Sequence, residues 1–542
     1  MPSFKRHQTT QCSTNSAVNP TARKVFARPL STPMTYWLHS THEVIRPAGT
    51  FNDVPTRSDR IGSMIDRAFI VAAILAPLLY GLVINASAFD SPPAWDSAVT
   101  VSPAALAIVD HDFDVWEVAH LPSSPEGGPS THSTSLYTIA LAATIAVTGA
   151  ETAFFLAHVT SILLVGLLTL ATYLLVRERA SVRVTALTTL AVGILPIVVQ
   201  QASDIYLDLP LAVVVTLACW TTSRRWFWRT ALLVLVAVAL KTSGVFALPL
   251  LLVARPIDKP IARHLRDVTV AGLVASAPFV VALATTHRFS MGPRDYTDLT
   301  LIGSSASLLA ITIDVFAVMS FYLIVMYGRI RARRLDRMSV ISLAAVGGFV
   351  AIHVATMVLS GTIAMLPRYY IAILPVVLAA IVPPEHPVAA LTPTRRTIGV
   401  ILLMVLCIFS LANIRGNYYP RPDHDFYVAA ERSTRAQDLL ALQVEGTRLL
   451  VQQKLPLLVE RQVYFRLEYP GMGYVDSTPD DITPVFLNLP IDLPDKFAML
   501  IERRYTNPLV AVEEAALSRG YDLSYRELKV GNYTSQLVIA SK

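Results

Sequence analysis

The sequence predicts an α-helical polytopic membrane protein of about eleven transmembrane helices, closed by a small extracytoplasmic α/β domain. Composition is the first reason. Of 542 residues, 53% are hydrophobic and 15% charged, and the mean hydropathy is +0.50; soluble chains carry roughly 25% charged residues. The second reason is the recurrence of apolar runs long enough to span a bilayer. The third is that Lys and Arg gather in the short loops between those runs, where they orient a membrane protein. The net charge of +6 is therefore no nucleic-acid footprint, and no nucleic-acid partner is expected. Cys12 lies in a polar tail, while Cys219 and Cys407 lie in apolar runs, with no metal or disulfide spacing.

Residues 1–67 are polar and basic and too poor in apolar side chains to fold alone, so a disordered cytoplasmic tail is expected. No apolar stretch with a small-residue cleavage site precedes the first span, which argues against a secretory signal peptide. A mitochondrial-type targeting segment, or a start at Met34 or Met64, fits the same composition.

Residues 68–414 form the expected membrane domain. A spanning helix needs about 20 apolar residues, within a range of roughly 17–25. Segments 68–88, 152–176, 184–200, 209–222, 268–286, 305–328, 340–360, 370–383 and 397–414 qualify as candidates. Segment 136–149 is short, and segment 230–254 is interrupted by Lys241-Thr242-Ser243-Gly244. The positive-inside rule decides both. The clusters around Arg179, Arg225, Arg263, Arg333 and Arg396 share one face with the N-terminal tail only under two conditions. Segment 136–149 must not cross, and the chain must turn back at Lys241. The N-terminus is then cytoplasmic. The first outer loop (about 89–136) and the C-terminal region lie outside a plasma membrane, the expected location.

Residues 415–542 read as an α/β domain. Helical composition covers 426–453 and 508–518, with Gly520 as a C′ residue. Strands are expected at 484–489 and 497–503, and 521–530 with 534–540 read as a closing hairpin around Gly531-Asn532.

The threading gathers Asp96, His132, Asp204, Asp208, Lys241 and Arg368 at the outer face. Ionisable groups near hydrocarbon are costly and mark functional sites by default. Trp95-Asp96-Ser97 opens an interfacial helix over 96–109. Asp96 there could accept a proton from a hydroxyl or simply cap the helix. Gly127-Gly128-Pro129-Ser130-Thr131-His132-Ser133 places His132 at the surface, as a general acid/base, a ligand or a plain interfacial side chain. The turn from Gln200 to Pro210 carries Asp204 and Asp208, and Asp208 could be an N-cap. Lys241 breaks an apolar run at a cost of roughly 2.5–3.5 kcal/mol, which snorkelling could lower. Arg368-Tyr369-Tyr370 opens a late span, where Arg and aromatics serve as anchors or bind phosphate. The cluster Asp110-His111-Asp112-Phe113-Asp114 lacks the glycine and terminal Glu of a calcium loop and reads as a solvated turn.

In this order, these motifs resemble the GT-C class of membrane glycosyltransferases, and within it the protein O-mannosyltransferase and lipid A aminoarabinose transferase superfamily. The matching positions are Asp96, the His132 segment, Gln200 to Pro210, Lys241 to Gly244, and Arg368-Tyr369, and the resemblance covers about residues 68–415. Two positions depart from the pattern: Ser97 stands where Glu often follows the Asp, and Ser133 where Pro follows the His. The resemblance implies an inverting transfer of a sugar from a polyprenyl-phosphate donor to an extracytoplasmic acceptor, with Asp96 as base. Lys241 and Arg368 would stabilise the leaving phosphate, and Asp208, or Asp204, would position the acceptor or a divalent cation. His132 and Tyr369 would line the substrate site. No cofactor is required beyond that optional cation, whose presence the Ser97 departure leaves open. A secondary transporter, a polymerase or ligase of lipid-linked polysaccharides, and a non-catalytic assembly protein are the competing classes.

Overall fold

A computed structural model of the chain describes residues 57–94, 97–121, 129–130, 132–286, 313–360, 367–382, 435–485, 492–502, 508–531 and 533–542, with positions 401, 404, 405 and 408 besides. Two units divide the chain, Met1–Arg60 and Ile61–Lys542. In the first, only the opening turn of the helix Arg57–Ile84 is described. Everything below concerns the second.

Among the described residues, Asp66–Ile84, Ala150–Arg177, Ile261–Ala284 and Arg337–Ala355 are long and apolar enough to cross a membrane. Shorter apolar helices run over Leu136–Thr148, Val182–Gly193, Asp208–Ser223 and Phe227–Leu240. Large apolar side chains point outward from the long helices: Val83 is 73% exposed, Leu273 69% and Leu163 53%. Keeping such side chains in water forfeits about 1.5–3 kcal/mol each, whereas a bilayer accepts them. The inner faces meet in one large apolar cluster that includes Val165, Leu168, Val215, Val234, Ile341 and Val377.

Several apolar segments are broken where continuous spans were expected. Segment 184–200 divides into Val182–Gly193 and Pro196–Gln201, because Pro196 has no N–H to continue the first helix and is suited to start the next. Segment 370–383 begins as a 3-10 turn, Pro367–Ala372, followed by the helix Leu374–Ile381 with its own early Pro375. The interfacial segment after residue 96 starts as a π turn, Ser97–Val101, and becomes α-helical over Ser102–Asp110. Leu136–Thr148 ends at Gly149, whose φ of +82° permits a sharp turn into Ala150–Arg177.

The break at Lys241 is the one that positions chemistry. The helix Phe227–Leu240 stops there, Lys241 is extended, and a 3-10 turn Thr242–Ala247 leads into the short helix Pro249–Val253. Gly244 lies against the backbone of Ala237, so the chain folds back onto the helix it has just left, and no side chain would fit. Gly348, in Arg337–Ser360, presses in the same way on the Phe246 carbonyl.

The C-terminal part contains a five-stranded sheet in the order β2-β1-β3-β5-β4, built from β1 Leu457–Val459, β2 Ile482–Pro484, β3 Lys496–Ile501, β4 Asp522–Val530 and β5 Tyr533–Ser541. β1 runs parallel to β2 and β3, while β5 is antiparallel to β3 and β4. Alternation along β3 serves two layers. Ala498 and Leu500 pack with Leu439, Leu442 and Leu450 of the helix Arg435–Gln452. Phe497, Met499 and Ile501 pack with Leu509 and Val512 of the helix Leu509–Ser518. The strand β1 and the helix Arg461–Glu468 were not anticipated from sequence. A further cluster joins Phe465, Met472 and Tyr474 to Val99, Leu106 and Ile108 of the juxtamembrane helices and to Ile205 and Leu207. Through it the α/β part is docked on the first loop.

Candidate functional site

Asp208 lies in the first turn of the helix Asp208–Ser223, and Leu207 takes the N-cap position, with no side-chain cap. The expectation that Asp208 caps this helix is therefore corrected, because its carboxylate is drawn to cations instead. Oδ1 accepts a hydrogen bond from Lys241 Nζ at 2.6 Å. Arg368 Nε stands 3.3 Å from Oδ2, close enough for an ion pair but without the alignment of a hydrogen bond. All three side chains are buried, at 3%, 8% and 3% exposed for Asp208, Lys241 and Arg368. Among the described residues, two cations thus face one carboxylate.

Aromatic rings enclose it. Lys241 Nζ lies 5.1 Å from the ring centre of Tyr206 and 4.7 Å from that of Tyr369. The Arg368 guanidinium lies 5.1 and 5.5 Å from the same two rings. Ring faces attract cations more strongly where water is excluded, so the tyrosines hold both charges without neutralising them. Tyr206 Oη is 3.4 Å from His132 Nε2, and His132 itself has a φ of +62°. Ser135 Oγ donates to the Leu240 carbonyl at 2.6 Å, which fastens the His132 segment to the end of the helix that delivers Lys241. Behind Tyr369 stands His353, with ring centres 5.7 Å apart, and its Nδ1 is 2.8 Å from the Phe349 carbonyl.

The structure thus brings together Asp208, Lys241, Arg368, Tyr369 and, through Tyr206, His132. Asp204 is placed elsewhere. It is 6% exposed and lines a cavity of about 630 Å³ with Gln200, Ser203 and Ala94 on one side and Gln437, Glu445 and Arg448 of the helix Arg435–Gln452 on the other. Asp96 lies outside the described residues. Its neighbours are held from both sides. Ser97 N–H donates to the Ala94 carbonyl at 3.0 Å, and the buried Tyr474 hydroxyl donates to the Pro93 carbonyl at 2.8 Å.

Tyr206 and His353 were missed by sequence reasoning. Tyr206 sits inside the turn that was singled out, but a tyrosine at a membrane surface is commonplace. His353 interrupts an apolar run as Lys241 does, and that signal could have marked it. The acidic turn after residue 109 is structural: Asp114 accepts from the Glu117 N–H at 2.9 Å, and His111 Nδ1 is 3.2 Å from Glu117. The two oxygens of Asp208 face Lys241 and Arg368. No group of three potential ligand side chains occurs among the described residues.

No family model and no curated protein matches the chain. Among solved structures, the fold is similar to that of ArnT from Cupriavidus metallidurans bound to undecaprenyl phosphate. The identity is 14% and the TM-score 0.47, over 87% of this chain and 98% of that one. The apo state of ArnT from the same organism is similar at 14% identity and a TM-score of 0.45, over 86% of this chain and 97% of that one. Similarity at this level carries no argument about function, which rests on the site itself.

Proposed function

We propose that the chain is an integral-membrane glycosyltransferase of the plasma membrane that moves a sugar from a polyprenyl-phosphate donor to an extracytoplasmic acceptor. The observation that carries this reading is the buried Asp208–Lys241–Arg368 group with its walls of Tyr206 and Tyr369. A water-poor site that presents an ammonium and a guanidinium together suits a phosphate group, and Arg offers planar donors for its oxygens. The order of motifs read in the sequence supports the same class.

In this reading an acceptor hydroxyl gives its proton to Asp96, and its oxygen bonds to the anomeric carbon. The bond from that carbon to the phosphate oxygen breaks, and polyprenyl phosphate departs with one more negative charge on its oxygens. Inversion follows from the single displacement. Lys241 and Arg368 meet the charge as it develops, which lowers the barrier only if they are held in place beforehand. Asp208 does that holding: it fixes Lys241 Nζ and keeps two like charges close together. Asp204, which lines the neighbouring cavity, would help to position the acceptor.

The test is turnover of a panel of polyprenyl-phosphate sugars by the full-length protein in lipid nanodiscs, read by mass spectrometry. Release of polyprenyl phosphate by the wild type, lost in Asp96→Asn, is the expected result. Release that ignores Asp96 removes it as the base. If the wild type neither binds nor cleaves any lipid-linked sugar, the transferase reading falls and a transporter takes its place.

A further inference from the structure

Between the first membrane helix and the juxtamembrane helices the chain runs through Ser91-Pro92-Pro93-Ala94. Neither proline has an N–H, and each ring holds φ at about −65°. The pair is a stiff connector that can be hydrogen-bonded only through carbonyls. Two distant parts of the chain supply the donors. His158, 2% exposed on the helix Ala150–Arg177, has Nε2 3.3 Å from the Ser91 carbonyl. A carbonyl oxygen only accepts, so that nitrogen carries the proton. Tyr474, fully buried in the α/β part, donates its hydroxyl to the Pro93 carbonyl at 2.8 Å. Gly473 beside it packs next to Pro92.

What the connector joins gives this fastening a consequence. The Ala94 carbonyl accepts from the N–H groups of Ser97 at 3.0 Å and Ala98 at 3.3 Å, so the connector passes its position on to the helical turn that follows Asp96. One turn beyond His158, Ser161 Oγ donates to the Asp204 carbonyl at 3.0 Å. Residues three apart share one face of a helix. Ala150–Arg177 thus holds the connector with one side chain and the turn that carries Asp208 with the other.

We propose that His158 and Tyr474 are positioning residues for the transfer, and that the α/β part sets its rate by fixing the Ser91–Ala94 connector ahead of Asp96. The proposal rests on the glycosyltransferase reading above, in which Asp96 is the base. The effect falls on the chemical step and not on carrier affinity, because Lys241 and Arg368 are carried by other elements. A base misplaced by about 1 Å can cost about 10²-fold in rate.

Tyr474→Phe removes the hydroxyl and keeps the ring. His158→Phe removes the donor nitrogen, and His158→Gln returns a donor at similar reach. In the full-length protein in nanodiscs, single-turnover release of polyprenyl phosphate is measured with the donor that the wild type turns over, and undecaprenyl phosphate is titrated separately. Transfer should fall about tenfold or more in both Phe variants, with carrier affinity unchanged and most of the rate regained in His158→Gln. Either loss frees the same connector, so the double variant should fall by less than the product of the single effects. Amide exchange at Ser97 and Ala98 should quicken about tenfold in Tyr474→Phe, a readout that needs no activity. Unchanged transfer in Tyr474→Phe overturns the proposal. So does a loss of carrier affinity equal to the loss of rate, or single effects that simply multiply. Faster exchange in the variant, with no transfer by the wild type from any lipid-linked sugar, leaves the fastening in place and removes the transferase reading instead.

Discussion

A single lysine in an apolar run is the residue on which the site turns. Replacing Lys241 by Ala leaves Asp208 facing Arg368 alone and removes one donor from the leaving phosphate. We expect a fall in transfer of about 10²–10³-fold, the usual loss for one preorganised donor, read as single-turnover release of polyprenyl phosphate. Tyr206 separates two effects: Tyr206→Phe keeps the ring under both cations and removes the hydroxyl with its contact to His132, whereas Tyr206→Leu removes the ring. The first should keep carrier affinity nearly intact, and the second should weaken it by about 0.5–2 kcal/mol, measured by titration of undecaprenyl phosphate. At this scale the sequence was legible where chemistry is expensive. Lys241, Asp208 and Arg368 stand out because a charge among apolar neighbours needs a reason. Only three residues separate Asp204 from Asp208, and spacing alone could not show that Asp204 would line the cavity while Asp208 joins the cations. Tyr206 carries no such cost and so gave a weaker signal, whereas the interruption of an apolar run by His353 was there to be read.

The turn at Lys241 shows how an element, once interrupted, becomes a positioning device. Extended backbone at Lys241 and the contact of Gly244 with the Ala237 backbone direct the ammonium group away from the helix axis toward Asp208. Gly244→Val should force that contact apart. Overpacking of this kind costs about 1–3 kcal/mol, so a lower melting temperature in detergent is expected, together with lost carrier binding. If Gly244→Val keeps both, the fold-back is not what sets Lys241. Hydropathy and charge in the loops were enough to anticipate that segment 230–254 would break and that 136–149 would remain short and separate. They were not enough to place the breaks at Pro196 and within 367–374, because hydropathy averages over a window while proline acts at one peptide bond. Helix Leu509–Ser518 and the hairpin of β4 and β5 were read from alternation and from Gly520 and Gly531. The three-residue strand β1 is too short to show any period.

At the scale of the whole molecule, the α/β part depends on a buried charge pair. Arg466 and Glu502 are 2% and 3% exposed, and the guanidinium binds both carboxylate oxygens, with Nη2 to Oε2 at 3.2 Å. Gln443 Nε2 adds a contact to the same carboxylate at 3.4 Å, and Arg466 lies 5.4 Å from the Tyr474 ring. Breaking such a pair by removing one partner leaves an uncompensated buried charge and costs about 3–5 kcal/mol. Glu502→Gln should therefore lower the unfolding temperature of this part, by calorimetry, more than any surface substitution on β4. Because Tyr474 also holds the Pro93 carbonyl, the same variant should disturb the segment leading to Asp96.

The cavity under the helix Arg435–Gln452 exists only while that helix stays seated on the first loop and the Gln200–Asp208 turn. Mass action then makes occupancy and seating two readings of one equilibrium. A ligand at about one hundred times its dissociation constant would oppose detachment by about 2.7 kcal/mol, which slows amide exchange along the helix roughly a hundredfold where exchange requires detachment. Exchange rates at residues 435–452, followed with and without a candidate ligand, would report occupancy of the cavity directly.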